Sequence, residues 1–221
     1  PGDRVFYPVK SHIRASVPKS EKNNLDGKSI SVRAGSNLAD SAPDALRYQK
    51  LLSILGDGTG DSPADCAIYL TGNVPDFSKL TELSRGEWDG LVNQFINFPA
   101  EYTSQRIDRF VPGGSDDPRK FKDVKGRIII IGPDLPVGKK ISGHERAKVE
   151  VFRGLLRPFV TTVNQELSDV LKSNIRVFLI LPGTVDGKEP SNENIVNTIN
   201  YLMSDEAASS SEVIFCPDET R

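Results

Sequence analysis

The chain has 221 residues, and its 28 Lys and Arg are interspersed among 30 Asp and Glu, so the formal net charge is -2 at pH 7. This balance excludes the basic stripe of a nucleic-acid-binding protein, and no apolar run reaches the length of a membrane span. The length suffices for one domain with a sizeable core, and residues 1–10 lack the apolar segment of a signal peptide, which favours a cytoplasmic location.

Residues 1–26 mix Pro, Ser, Lys and Asn without periodicity, which predicts an arm or linker ahead of a domain at residues 27–221. Because the sequence opens with Pro1 rather than Met, we expect it to be a piece of a longer polypeptide. Within the domain, residues 28–37 alternate like a strand that ends in a turn. An amphipathic helix follows and stops at Gly56.

The middle of the chain contains two more apolar strands separated by a long helix. The strands are predicted at 65–73 and 127–134, and the second is apolar throughout, which indicates a central position in a sheet. The helix between them is predicted from about Arg85 to Phe110, with a kink at Pro99. The polar loop after it, GSDDPRKFK, carries Arg119, Lys120 and Lys122.

The last third of the chain repeats the alternation of helix and strand. A long helix at 142–173 contains Pro158, and the strand IRVFLILPG follows and ends in Pro182-Gly183. A further helix and strand close the chain. Strands that alternate with helices of ten or more residues predict an α/β fold, a Rossmann-like doubly wound parallel sheet with helices on both faces. Both cysteines, Cys66 and Cys216, are predicted to be core residues, and no metal site is expected.

Three stretches, in this order, resemble the short-chain dehydrogenase/reductase family. EWDGLVNQF is similar to the Trp-Asp opening of the family's fifth helix, IRVFLILPGTVDG to its Ile-Arg-Val-Asn-x-Ile-x-Pro-Gly strand, and NIVNTINYLMSDEAASSSEVIFCPD to its closing helix and strand. The resemblance covers residues 65–218 well and 28–56 loosely. It implies the family's fold with shortened N-terminal βα units, because one strand and one helix replace three strands and their helices.

The family's cofactor loop, Thr-Gly-x-x-x-Gly-x-Gly, lets backbone amides approach a pyrophosphate at a helix N-terminus. The corresponding stretch here, RAGSNLADS, has the single Gly35, so side chains would occupy space that the phosphates need. The resemblance therefore implies that this domain binds no cofactor. If it did bind one, Gly72, Pro182, Gly183 and Thr184 would be the matching contact residues.

The family's catalytic pair is a Tyr four residues before a Lys, and no Tyr lies between Tyr102 and Tyr201. One register of the helix places His144 and Lys148 in these positions, and the register that we favour places Val149 and Arg153 there. The family's Ser is replaced within Gly-Pro-Asp at 132–134. Its helix Asn would fall near Phe95, with Asn93 and Asn97 both within one turn.

These departures from the family pattern favour a non-catalytic accessory domain of a larger NADPH-dependent reductase. The chain resembles the shortened domains of bifunctional malonyl-CoA reductases or, less closely, the N-terminal domain of long two-domain ketoacyl reductases. NADPH would then bind in the parent or sister domain. The partner would be a catalytic reductase domain or a second copy, in contact with the two long helices, 88–110 and 149–171, through the apolar side chains of Phe152, Leu155, Phe159 and Val163.

Two other functions stay open. The chain is an active NAD(P)H-dependent reductase if His144 and Lys148 replace the usual pair. Alternatively, it senses a nucleotide or acyl-CoA without reacting it, with Arg119, Lys120 and Lys122 on the phosphate, although a solvated loop explains these side chains more simply.

Overall fold

The computed structural model describes residues 13–14, 23–35, 49–51, 53, 55, 65–111, 118–122, 124–135, 143–183, 192–208 and 214–215. Six strands form one sheet in which every neighbouring pair is parallel. The strands are β1 (Ile13–Arg14), β2 (Ile30–Ala34), β3 (Cys66–Leu70), β4 (Lys125–Ile131), β5 (Asn174–Ile180) and β6 (Ile214–Phe215), and their order across the sheet is β1-β6-β5-β4-β3-β2. The parallel sheet predicted from the sequence is therefore confirmed.

Helices cover both faces of the sheet, and the described ones are α1 (Arg85–Val92), α2 (Phe98–Phe110), α3 (Gly143–Gln165), α4 (Asn192–Leu202) and the short α5 (Asp205–Ala208). Because successive residues of a strand point to opposite faces, each apolar strand supplies two cores. Ile129 and Phe178 pack on one side with Ile199 of α4, and this side is called the α4 face. Ile130 packs on the other side with Leu156 of α3, on the α3 face. Among the described residues, no helix has the length and apolar character needed to cross a bilayer.

The order of the strands explains the shortened start of the domain. β2 lies directly beside β3, with Ile30 opposite Cys66 and Ala34 opposite Leu70, and it ends the row of described strands. Only β2 and helical residues between 49 and 55 stand between the N-terminal segment and β3 in the described part of the chain. This agrees with the shortened N-terminal βα units expected from the sequence.

The long helix predicted at 85–110 is interrupted, but not at Pro99 itself. A π-helical turn, Asn93–Asn97, separates α1 from α2, and Pro99 occupies the first turn of α2. Proline has no N–H to donate to the carbonyl four residues earlier, so the irregularity precedes it along the chain. Pro158 behaves differently, because α3 runs through it without a break, and a second π-helical turn follows at Glu166–Val170.

Part of the predicted N-terminal arm belongs to the sheet. β1 pairs in parallel with β6, with Ile13 opposite Ile214 and Arg14 opposite Phe215. A second contact follows at Asn24, whose amide and side chain both bond to Asn200 of α4. The N-terminal segment thus contacts the C-terminal elements of the same domain at two places.

Candidate functional site

The carboxyl ends of β3, β4 and β5 meet at one edge of the sheet, where ligands bind in open parallel sheets. Leu70, Ile131 and Ile180, the last residues of these strands, stand in direct register. The loops that follow them begin at Thr71, Gly132 and Leu181. These three loops form the rim on which the family's cofactor and substrate would lie.

Gln94 ties the rim to the helix layer. Its side chain lies in the π-helical turn between α1 and α2, is 5% exposed, and donates to the carbonyl oxygens of Thr71 at 2.9 Å and Asn73 at 3.2 Å. The Asn73 side chain in turn accepts from the backbone amide of Asp134 at 2.9 Å. The loops after β3 and β4 are therefore joined to each other and to the helix by hydrogen bonds within the protein.

Arg153 ties the rim together on its other side. This side chain of α3 is 2% exposed, and its Nε donates to the carbonyl of Pro133 at 2.9 Å. Its Nη2 donates to the carbonyl of Pro182, and Glu150 lies 3.5 Å from its Nη1. A buried guanidinium thus bridges the loop after β4 and the loop after β5, and its charge is balanced by a half-buried carboxylate.

The first residues of these two loops pack closely against each other. Gly132 donates to the carbonyl of Ile180 at 2.8 Å. A Cβ built on Gly132 would stand 2.8 Å from Leu181 Cδ2 and 3.3 Å from Leu156 Cδ1, which is closer than side-chain atoms pack. Backbone and apolar atoms therefore occupy the gap between β4 and β5 at this edge.

His144 and Lys148 both face the segment that follows the first rim loop. Nε2 of the exposed His144 lies 3.1 Å from the carbonyl oxygen of Ser78. Lys148, which is 9% exposed, donates to the carbonyl of Phe77, and its ammonium stands 4.8 Å from the centre of the Phe77 ring. The N-terminal half of α3 thereby holds this segment in place, whereas Arg153, further along α3, reaches Pro182.

The favoured register, with Val149 and Arg153 in the catalytic positions, puts a buried aliphatic side chain where the family has a phenol. Phe95, the position expected near the family's Asn, is fully buried. Asn97 donates to Asn93 at 2.6 Å on the exposed side of the turn. The sequence thus identified Arg153 only as a position in a register and missed Gln94, for which it offers no motif.

The remaining predicted residues lie at turns. Gly72 has φ of 79°, a left-handed conformation that glycine adopts without strain. Pro182 is buried and Gly183 is half-buried, while Thr184 and Cys216 lie outside the described residues. In the charged loop, Arg119 and Lys120 are exposed on a 3-10 turn, and the backbone of Lys122 pairs with that of Ser173.

A small cleft lies at the carboxyl end of β2. It is about 120 Å³ and is lined by Arg33, Ala34, Gly35, Tyr69, Phe98, Glu101 and Tyr102. A Cβ on Gly35 would lie 3.2 Å from the Tyr69 hydroxyl, and burial raises the pKa of that hydroxyl to about 12. Ligand pockets are typically several times larger, so the cleft does not accommodate a dinucleotide.

In the described part of the chain, no group of three His, Cys, Asp or Glu residues could hold a metal ion. Cys66 is a fully buried free thiol in β3, as expected of a core residue. Burial raises its pKa to about 12, so it is not a reactive thiolate at neutral pH.

No family model and no curated protein matches the sequence. Solved structures do match. A short-chain dehydrogenase from Leptospira borgpetersenii serovar Hardjo-bovis with bound NAD+ has a TM-score of 0.59 at 12% identity, over 89% of this chain and 94% of that chain. Serine dehydrogenase from Escherichia coli has a TM-score of 0.55 at 14% identity, over 87% of this chain and 99% of that chain. A 4-hydroxyisoleucine dehydrogenase complexed with NADH and succinate has a TM-score of 0.53 at 19% identity, over 82% of this chain and 78% of that chain.

At these identities the similarity establishes the fold. The chain has the Rossmann-like fold of short-chain dehydrogenases, as its sequence motifs suggested.

Proposed function

We propose that this chain is a non-catalytic, reductase-like accessory domain that pairs with a catalytic short-chain reductase domain of the same parent enzyme. The parent would be an NADPH-dependent reductase of the malonyl-CoA reductase type, with NADPH bound in the sister domain. The observation that carries the proposal is the contact of Arg153 with the carbonyls of Pro133 and Pro182.

This contact matters because buried side chains hold the loops of the rim to the helix layer. The carbonyls of Thr71, Asn73, Pro133 and Pro182 already accept hydrogen bonds from Gln94 or Arg153. Opening those bonds would leave a buried guanidinium without its acceptors, which is strongly unfavourable. The rim is therefore better suited to holding the sheet together than to binding a ligand.

The outer side of α1 and α3 supports the pairing. Trp88 and Val151 are 40% and 38% exposed, and the Trp88 ring lies 6.4 Å from that of Phe152. Phe152 itself, expected on the contact surface, is fully buried against Phe95, because their ring centres lie 4.8 Å apart. The contact surface that we propose is accordingly centred on Trp88 and Val151.

Calorimetric titration with NADPH tests the first part of the proposal. We expect no binding to the wild-type chain at millimolar NADPH, and none to Arg153→Gln, since that change restores neither the Gly-rich loop nor an acid. A dissociation constant in the micromolar range for the wild type would overturn the proposal.

Binding of this chain to the parent's catalytic domain tests the second part of the proposal. Trp88→Ala and Val151→Asp should each weaken association with the parent's catalytic domain by about tenfold or more, measured by sedimentation. Val170→Asp is the matched control, because Val170 is 72% exposed but lies in the π-helical turn beyond α3. If all three variants bind the catalytic domain equally well, the pairing surface is wrong.

The second candidate function is an active NAD(P)H-dependent reductase that uses His144 and Lys148. It is supported by the similarity to a dehydrogenase whose structure contains NAD+. In that case the wild type would bind NADPH and oxidise it in the presence of a carbonyl substrate, and His144→Ala would abolish turnover without weakening binding. Absence of binding of both NADH and NADPH would exclude this candidate.

A further inference from the structure

Two arginines stand side by side at the amino end of the sheet, opposite the rim described above. Arg127 of β4 and Arg176 of β5 are direct partners in the parallel register. Neighbouring strands lie about 4.8 Å apart, so the two Cα atoms are close. Since Ile129 and Phe178, two residues further along each strand, point to the α4 face, both arginine side chains also point to that face.

Both guanidinium groups are only partly satisfied. Nη1 of Arg127 donates to the carbonyls of Gly126 and Asn174, at 3.0 and 3.1 Å. Nη1 of Arg176 donates to the carbonyls of Ser173 and Ile175, at 2.9 and 2.8 Å. The Nε atom of each side chain is buried and has no hydrogen-bond partner. Nη1 of each guanidinium is therefore held by backbone carbonyls, whereas the buried Nε lacks an acceptor.

The charges of this pair are poorly balanced. Arg127 is only 7% exposed, Arg176 is half-buried, and neither forms an ion pair with a described carboxylate. Burial, followed by the adjacent charge of Arg176, lowers the pKa of Arg127, and Cys66 and then Asp205 at the start of α5 oppose this shift. Two like charges that are partly removed from water destabilise the fold unless an anion compensates them.

We propose that Arg127 and Arg176 form a binding site for a phosphate group at the amino end of β4 and β5. The Nε–Nη2 edge of a guanidinium fits two oxygens of a phosphate, and a tetrahedral dianion has enough acceptors for two such edges. Exposed Lys172, which precedes β5, adds positive potential at the same end of the sheet. The site is independent of the function proposed for the rim and uses none of its residues.

The test is calorimetric titration of the 221-residue chain with inorganic phosphate and with glycerol 3-phosphate at constant ionic strength, with chloride as the background anion. We expect the wild type to bind at least one of the two in the millimolar range or tighter. A preference for the ester would identify the ligand as an organic phosphate, and equal binding would identify free phosphate as sufficient. Either result supports the site, and binding of neither compound overturns it.

Variants then assign the site. Arg176→Gln should reduce the affinity for phosphate by about tenfold or more, because it removes both the positive charge and the paired N–H donors of the guanidinium. Arg176→Lys keeps the positive charge and removes only the paired N–H donors of the guanidinium. A clear loss of phosphate affinity in this variant therefore shows that the paired donors are recognised, even if other variants fold poorly. Lys125→Gln is the matched control for net charge and should change the affinity by less than about threefold. If Lys125→Gln weakens binding as much as Arg176→Gln, the chain attracts anions without a specific site, and the proposal fails.

Discussion

The side-chain amide of Asn164 pairs with the backbone of Val177 in both directions. It donates to the Val177 carbonyl at 2.6 Å and accepts from the Val177 amide at 2.9 Å. The described residues of β6 pair with Leu179 and Ile180 of β5, and at Val177 the α3 side chain supplies the backbone's partners. The end of α3 is thereby fixed to the middle of β5.

Replacement of Asn164 by Leu should destabilise the protein by about 2 to 4 kcal/mol, because two buried backbone groups lose their partners. Urea unfolding monitored by circular dichroism measures the loss. Asn97→Leu is the control, since its amide bonds only to Asn93 on the exposed side of a helix. Equal effects of the two substitutions would show that the Asn164 bonds contribute no net stability.

Gly126 lies under the ring of Phe110, and a Cβ there would stand 2.7 Å from Phe110 Cδ2. Gly126→Ala should therefore cost about 1 to 3 kcal/mol of unfolding free energy. The same substitution in a Phe110→Leu background should cost less, because the ring is gone. Gly90→Ala, at a helical position where a Cβ meets nothing within 4 Å, should instead stabilise by up to about 1 kcal/mol. Thermal or urea unfolding of these variants provides the comparison.

Cys66 should be protected from alkylation in the folded protein. Its side chain is fully buried, and burial raises its pKa to about 12, so little thiolate forms at pH 8. In a Cys216→Ser variant, which leaves Cys66 as the sole thiol, iodoacetamide should label the protein only at the rate of unfolding. Addition of urea should then accelerate labelling in parallel with the loss of structure. Rapid labelling without denaturant would contradict the buried position of this thiol.

The pKa of Asp65 is lowered, mainly because its carboxylate accepts from the Ser29 amide, at 3.0 Å, and also because of Lys28. The unfolded state therefore binds more protons than the folded state in acid. The stabilisation by Asp65 is present above its ordinary pKa of about 3.9 and disappears as pH falls through its folded value. Asp65→Asn should thus show a shallower loss of unfolding free energy between pH 6 and pH 3. Denaturant titrations at several pH values compare the slopes, and identical slopes would argue against the contribution of Asp65.

The strands at the centre of the sheet could be predicted because β3, β4 and β5 are almost continuously apolar. β1 could not, because two residues, Ile13 and Arg14, show no periodicity and owe their conformation to β6. The expected exposure of Phe152 was wrong for a related reason. A helix pattern shows that one side is apolar, but only the packing of the π-helical turn against α3 shows that Phe95 covers this ring.

At the rim, the turns at Gly72 and Pro182 are local features, so the sequence revealed them. The roles of Gln94 and Arg153 were hidden, because their partners are backbone carbonyls more than 19 residues away along the chain. A carbonyl has no sequence signature. Only the assembled sheet brings these two long polar side chains to the rim loops.

From β2 to β6, the strands follow one another across the sheet in the order of the chain. During synthesis on a ribosome, each new βα unit can add to the edge that the previous unit has just completed. β1 is the exception, since its partner β6 is the last of the six described strands to be made, so β1 can pair only after β2 to β5 have been synthesised. Addition of β1 beside β6 is therefore a late step in the assembly of this sheet.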